Sequence, residues 1–171
     1  MASDTPDLIA GRLQKQRTPY LNQESIYQFI PLDGEFVRRV LLCAEAGGIV
    51  YPDTMDFLTE FGKENLTIVT SGDPNFQLLK IQANNLDGYV RSIIVTDDKP
   101  GSMKRPAAGD FFLDDAPRQI ELVKQAHPQI FCIQMRQVPF WETEKTAPNA
   151  DARVVDLREA AKIIRTKRRP Q

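Results

Sequence analysis

Three short apolar runs in the middle of the chain are each followed by polar residues whose side chains suit phosphoryl transfer. A hydroxyl and an ammonium group can stabilise the oxygens of a transferring phosphoryl group, while carboxylates hold a metal ion beside it. The residues are Thr70, Ser71 and Gly72 after residues 66–69 (LTIV), Lys99 after residues 92–96 (SIIVT), and Asp114 and Asp115 after residues 110–113 (DFFL). Together they predict a site for a phosphorylated ligand.

Asp114 and Asp115 carry the strongest chemical signal, because two adjacent carboxylates close an apolar run. Their mutual repulsion and desolvation are costly unless a cation or several hydrogen-bond donors compensate. Mg²⁺ would do so, since it prefers oxygen ligands and needs one or two protein carboxylates when a substrate phosphate completes its coordination. A second interpretation stays open, in which either aspartate only caps a helix that begins at Ala116 and Pro117. Lys99, taken alone, is typical of a solvated turn.

The apolar runs alternate with segments of helical periodicity, which indicates an α/β fold. We predict strands at residues 66–69, 92–96, 110–113 and 130–135, an edge strand at residues 153–155, and helices at residues 75–86, 116–126 and 156–166. Helices between strands imply crossover connections and a mainly parallel sheet covered on both faces, a three-layer Rossmann-like arrangement. In such sheets ligands bind beyond the carboxyl ends of the strands, where the polar residues above are expected to lie.

The composition predicts a single globular domain of the cytoplasm. A chain of 171 residues with 42% hydrophobic content can bury one substantial core. Cys43 and Cys132 stand far apart inside apolar stretches, which favours buried free thiols in a reducing compartment over a disulfide. Residues 1–8 (MASDTPDL) lack the basic start and apolar core that are typical of a secretory signal, and no apolar stretch approaches the ~20 residues that cross a bilayer. We therefore expect no membrane partner.

The overall charge gives no general attraction to polyanions. A formal charge of −1 and a pI near 5.9 argue against nucleic acid or an anionic membrane as a partner. The basic exception is residues 162–169 (KIIRTKRR). We interpret this stretch as the solvated end of the last helix, where cations suit the negative end of the helix dipole, and a contact with nucleic acid or lipid is the alternative.

The order of the polar groups resembles that of the haloacid dehalogenase-like hydrolases. Members of this superfamily carry an Asp-x-Asp nucleophile loop after the first strand, a Thr or Ser after the second, a lysine, and an acidic pair after a later strand. Residues 66–73 (LTIVTSGD) are similar to the second motif, Lys99 to the third and residues 111–115 (FFLDD) to the fourth. The resemblance covers residues 51–165 and rests on the combination of motifs.

The resemblance implies a Mg²⁺-dependent hydrolase of phosphatase type that acts on a small phosphorylated substrate. It implies a Rossmann-like parallel sheet whose central first strand carries the nucleophile. The implied roles are catalysis for Thr70 and Lys99, substrate contact for Ser71 and Gly72, and Mg²⁺ binding for Asp114 and Asp115.

The nucleophile motif is where this sequence departs from the family, because no Asp-x-Asp occurs in the 171 residues. In the family the first Asp forms an aspartyl-phosphate and the second acts as general acid and base. Residues 30–36 (IPLDGEF) come closest, and on that alignment Pro31 replaces the nucleophile while Asp33 keeps the acid/base position. We therefore expect a truncated or impaired hydrolase with little phosphatase activity, or a non-catalytic binding protein of the same fold.

Residues 1–50 accordingly have two interpretations, and residues 51–171 form the core in both. In the first, residues 26–32 supply a degenerate central strand and residues 35–46 form a helix. In the second, the segment is the remnant of a helical cap, and the true first motif lies upstream of Met1. An unfilled central position would leave two strands with unpaired backbone edges inside the sheet, so some segment is expected to occupy it.

Overall fold

A computed structural model describes residues 50–136 and 146–168 of the chain. The predictions for residues 1–49, including the degenerate strand, the cap remnant and the position of Asp33, lie outside the described residues. The chain divides into two compact units, which meet in sequence between Asp97 and Asp98. Each unit has its own parallel sheet and is described by itself.

The first unit contains a two-stranded parallel sheet with a helical crossover. Its elements are α1 (Thr54–Phe61), a 3₁₀ turn (Lys63–Asn65), β1 (Thr67–Thr70), α2 (Pro74–Ala83), a second 3₁₀ turn (Leu86–Tyr89) and β2 (Ser92–Val95). In the register of the pair, Thr67 lies opposite Ser92 and Thr70 opposite Val95. A parallel connection needs such a crossover, and α2 supplies it.

The core of the first unit is formed by α2 and the residues around β2. Leu78, Leu79 and Ile81 of α2 are buried with Val90 and Ile93. The helix begins at Pro74, whose fixed φ suits a first helical position, and the Asp73 Oδ1 atom accepts a hydrogen bond from the Phe76 N–H at 2.9 Å. The local sequence thus explains where the crossover helix starts.

The second unit contains a three-stranded sheet in which all neighbours are parallel, in the order β3-β4-β5. Its elements are the short helix α3 (Lys99–Ser102), β3 (Phe111–Asp114), α4 (Pro117–Ala126), β4 (Phe131–Met135), β5 (Ala152–Val154) and α5 (Leu157–Arg168). Phe111 lies opposite Phe131 and Asp114 opposite Gln134. The core side chains are Phe112, Ile120, Val123, Ile130, Cys132 and Ala147.

The last helix, α5, packs one apolar face into the second unit and begins at a clear capping signal. The Asp156 carboxylate accepts from the Glu159 N–H at 2.7 Å, and the Glu159 carboxylate accepts from the Val155 N–H at 3.0 Å. This reciprocal arrangement resembles a capping box. Ala160, Ala161 and Ile164 are buried and form the apolar face of α5.

These elements confirm the α/β class and the parallel pairing of strands. Each predicted strand lies within one residue of an observed strand at both ends, because short apolar, β-branched runs bounded by polar residues are a strong strand signal. Cys132 is buried, as predicted. The three-layer arrangement of haloacid dehalogenase type and the single domain stay predictions. Among the described residues, no helix is long and apolar enough to cross a membrane.

Candidate functional site

The centre of the candidate site is an ion pair between Lys99 and Asp114. The Lys99 Nζ atom lies 2.6 Å from the Asp114 Oδ2 atom, and the two side chains are only 10% and 7% exposed. Asp114 is the last residue of β3, so its carboxylate lies at the carboxyl end of a parallel strand. The structure therefore brings together two residues that stand 15 positions apart, at the kind of sheet edge where ligands bind.

Asp114 is held in place from two sides. Its Oδ2 atom accepts from Lys99, and its Oδ1 atom accepts a 2.9 Å hydrogen bond from the Ala116 N–H. Burial is the largest influence on this carboxyl group and raises its pKa. The hydrogen bond and charge of Lys99 and the Ala116 N–H act in the opposite direction, while the neighbouring charge of Asp115 raises the pKa further. Desolvation of the carboxylate thus outweighs the compensation that the surrounding residues provide.

Helix capping does not account for the two aspartates. The residue that precedes α4 is Ala116, which makes no side-chain capping hydrogen bond. Asp114 instead accepts the N–H of Ala116 itself, and its second oxygen is directed to Lys99. Asp115 is exposed to solvent. Of the two interpretations left open by the sequence, the structure favours a charged site at Asp114.

Lys99 is positioned by a short helix with its own local stabilisation. The Asp98 Oδ1 atom accepts from the Gly101 N–H at 2.9 Å, and the Ser102 hydroxyl donates to the Lys99 carbonyl at 2.7 Å. A Cβ atom at Gly101 would lie 2.0 Å from the Asp98 Oδ2 atom, so this close approach requires glycine. These contacts fix the backbone of Lys99, and the buried side chain differs from the solvated turn that the sequence indicates on its own.

His127 provides a further contact to this short helix, which the sequence did not predict. Its Nε2 atom lies 2.9 Å from the Pro100 carbonyl oxygen. Because a carbonyl oxygen can only accept, Nε2 must carry a hydrogen in this arrangement. His127 also ends α4 as its C-terminal capping residue, where its N–H donates to the Val123 carbonyl. No spacing in the sequence connects positions 100 and 127, so this contact is a product of tertiary packing.

Thr70, Ser71 and Gly72 lie at the carboxyl end of β1 in the first unit. The Thr70 hydroxyl donates a 3.0 Å hydrogen bond to the Gln77 Oε1 atom, within the same strand-turn-helix segment. Gly72 has φ +114°, a backbone conformation that favours glycine, and a Cβ there would lie 3.1 Å from the Gln77 Nε2 atom. The Asp73 carboxylate accepts a hydrogen bond from the Phe76 N–H at the start of α2. The side chains of Thr70 and Asp73 therefore have hydrogen-bond partners within the same strand-turn-helix segment.

Asp114 and Asp115 are the two carboxylates at this site that could hold a metal ion. Among residues 50–136 and 146–168, no three His, Cys, Asp or Glu side chains are grouped so that they could hold a metal ion together. Mg²⁺ differs from such metals, because it keeps several waters and is commonly bound by one or two carboxylates and a substrate phosphate. Asp114, with the adjacent Asp115, offers that number of carboxylates.

Comparisons of the chain with models of protein families, with curated proteins and with solved structures found no match.

Proposed function

We propose that this chain is a haloacid dehalogenase-like hydrolase of phosphatase type, in which Lys99 and Asp114 form the metal and phosphate half of a phosphoryl-transfer site. The observation that supports it best is their ion pair, 2.6 Å long, at the carboxyl end of β3. A buried ion pair contributes little net stability, because desolvation offsets much of the Coulomb attraction. Buried charges with a perturbed pKa at a ligand-binding edge are typical of functional sites.

Within this proposal each residue has a defined task. Mg²⁺ held by Asp114, with Asp115 beside it, would supply positive charge next to the oxygens of a small phosphorylated substrate. Lys99 fixes the orientation of Asp114 and has further N–H donors for a phosphate oxygen. Thr70, Ser71 and Gly72, as phosphate contacts, and Asp33, as acid/base, enter the proposal through the family resemblance alone.

The hydrolase is proposed to be impaired as it stands, because these 171 residues contain no Asp-x-Asp. Without the aspartyl nucleophile the site binds a phosphorylated ligand but turns it over poorly. The same observation favours a second candidate, a non-catalytic binding protein that keeps the fold and the ligand pocket. Both candidates predict binding of Mg²⁺ and phosphate, and they differ in the release of product.

Thermal unfolding tests the shared binding step. Mg²⁺ and inorganic phosphate added together should raise the Tm of the full chain by several degrees, since a ligand at a hundred times its Kd stabilises by about 2.7 kcal/mol. Asp114→Asn should abolish this shift. Asp110→Asn is the matched control, because Asp110 precedes the same strand and its carboxylate accepts the Ala107 N–H at 2.8 Å. An unchanged Tm in the wild type, or an equal shift in Asp114→Asn, contradicts the proposal.

Phosphate release from an aryl phosphate separates the two candidates. Slow, Mg²⁺-dependent release that Asp114→Asn abolishes identifies the impaired hydrolase. Binding without any release identifies the non-catalytic protein. Turnover in the ordinary enzymatic range, about 1–10³ s⁻¹, would show that the proposed impairment is wrong.

A further inference from the structure

The described residues of the first unit and those of the second unit carry opposite net charge. Residues 50–97 contain seven acidic and three basic side chains, a formal charge of −4. Residues 98–136 and 146–168 contain twelve basic and eight acidic side chains, a formal charge of +4. The whole-chain charge of −1 conceals this asymmetry. A charge asymmetry between the halves of a chain suggests an interaction with nucleic acid or a membrane, or a charged tail.

The positive charge is concentrated on the solvent-facing side of α5. Arg158, Lys162 and Arg165 stand at i, i+4 and i+7, which places them on one face of the helix, and all three are exposed. Their Cα atoms span about 10 Å at a rise of about 1.5 Å per residue. The opposite face is the apolar face of α5, which is buried in the second unit. We call the row of three cations the basic stripe.

Two more cations extend the basic surface beyond the stripe. The Lys167 Nζ atom lies 5.1 Å from the centre of the Phe131 ring, and the Arg168 Cζ atom lies 5.8 Å from the centre of the Phe111 ring. Cation–π contacts of this kind restrain the long basic side chains. Phe111 and Phe131 begin β3 and β4. This end of the sheet is opposite to the one that carries Asp114, so the basic surface is separate from the candidate site.

The spacing within the basic stripe is unfavourable for an isolated helix. Like charges three and four residues apart repel, as Arg158 and Lys162 do, and Lys162 and Arg165, and Glu159 is the one acidic side chain of α5 beside them. The helix dipole favours cations only within the last turn, so it does not compensate at Arg158. A row of negative charges laid along the stripe would convert this repulsion into attraction.

We infer that the basic stripe of α5, extended by Lys167 and Arg168, docks on the phosphate backbone of double-stranded DNA. The helix fixes the spacing of the cations along the stripe, as a duplex fixes the spacing of its phosphates, and a duplex has a higher charge density along its axis than a single strand. An anionic membrane is a poorer match, because the apolar face of α5 is buried and has nothing to insert. The Phe111 and Phe131 rings are half-buried beneath cations, which disfavours base stacking with a single strand.

Contacts of this kind go to the phosphates alone, so binding is independent of base sequence and sensitive to salt. For three to five neutralised phosphates, the Kd should rise with the salt concentration raised to a power of about 2.7 to 4.5. The effect is separable from the proposed phosphatase function, because it involves the other end of the sheet. The whole-chain charge argued against nucleic acid; the distribution of the charge supports it.

Fluorescence anisotropy with a labelled 20-base-pair DNA duplex and the full chain, between 50 and 200 mM NaCl, is the test. The combined Arg158→Gln, Lys162→Gln and Arg165→Gln variant should bind at least about ten-fold more weakly at low salt. It should also lower the salt exponent by about two to three, since each lost phosphate contact removes about 0.9. The control combines Lys63→Gln, Arg91→Gln and Lys104→Gln, three exposed cations off α5, and changes the net charge equally. This control should bind almost like the wild type.

Four outcomes would overturn the inference: no binding at 50 mM NaCl, equal losses in the stripe variant and its control, tighter binding to a single strand of the same length, or binding to phosphatidylserine vesicles in place of the duplex. The stripe variant should keep the stabilisation by Mg²⁺ and phosphate, because its substitutions lie away from Asp114. A failure of one proposal is therefore distinguishable from a failure of the other.

Discussion

The polar side chains at the strand ends of the two units differ in how far along the chain their partners lie and in how deeply they are buried. At the end of β1, the Thr70 side chain pairs with Gln77 and the Asp73 side chain with the Phe76 N–H, so both side-chain partners lie within seven residues. At the end of β3, Asp114 pairs with Lys99, which stands 15 residues before it. The first network consists of short-range contacts in a partly buried segment. The second pairs full charges that are almost completely buried.

The difference shows that desolvation of charged groups is costly at the end of β3 and not at the end of β1. Neutral and capping hydrogen bonds such as those of Thr70 and Asp73 contribute modestly and could form in the isolated segment. A buried carboxylate and ammonium depend on each other, because either one alone would be an uncompensated charge in the protein interior. A buried ion pair adds little stability, so its position at the carboxyl end of a strand favours a functional role. The second unit therefore holds the better candidate site.

The largest expected effect comes from breaking the buried pair. Lys99→Met or Asp114→Leu alone should lower the free energy of unfolding by about 3–5 kcal/mol, since each leaves the partner without compensation. The double variant Lys99→Met with Asp114→Leu should recover most of this loss, because two apolar side chains need no partner. Urea denaturation of the four proteins measures the coupling. If the double variant loses as much as the two single variants added together, the two residues are not coupled.

Reactivity of Cys132 should show whether loss of the ion pair opens the second unit. Burial, the largest influence, raises the pKa of the Cys132 thiol to about 11 from 9.0. At pH 8 this lowers the thiolate fraction about 100-fold, so the folded thiol should react very slowly with a disulfide reagent. Residues 50–97 contain no cysteine, so a Cys43→Ser background makes Cys132 a reporter of the second unit. Lys99→Met should accelerate its labelling.

The same shift predicts how stability depends on alkaline pH. A thiol with a raised pKa in the folded state contributes stability that is fully present below the unfolded pKa, near 9, and that is lost as the pH rises through about 11. Cys132→Ala should show a smaller loss of stability across that window. Rapid labelling of the folded Cys43→Ser protein at pH 8 would contradict the raised pKa.

The smallest expected effect is in the first unit. Thr70→Val removes the hydroxyl that donates to Gln77 but keeps the shape of the side chain, and should cost about 1 kcal/mol in urea denaturation. Gln77→Leu should cost a similar amount, and the double variant little more than either. If Thr70→Val lowers the free energy of unfolding as much as Lys99→Met does, the two strand ends do not differ in the way described.

Local sequence signals were sufficient for most of the elements. The strand ending at Asp114 and the helix beginning at Pro117 follow from an apolar run, a polar boundary and a proline at a first helical position. The capping of α2 by Asp73 has the same local origin. The burial of Lys99 could not be predicted in this way, because an Asp-Lys-Pro sequence is equally compatible with an exposed turn. Its burial depends on what packs against it.

The sequence by itself determined the parallel α/β class, the strand boundaries and the types of side chain at each strand end, since periodicity and capping act over a few residues. Only the tertiary structure decided that Lys99 and Asp114 meet and that His127 reaches Pro100. These are contacts between distant residues, which chain packing selects through burial and the need to pair each buried charge. The same packing buries one face of α5 and leaves its basic stripe exposed to solvent.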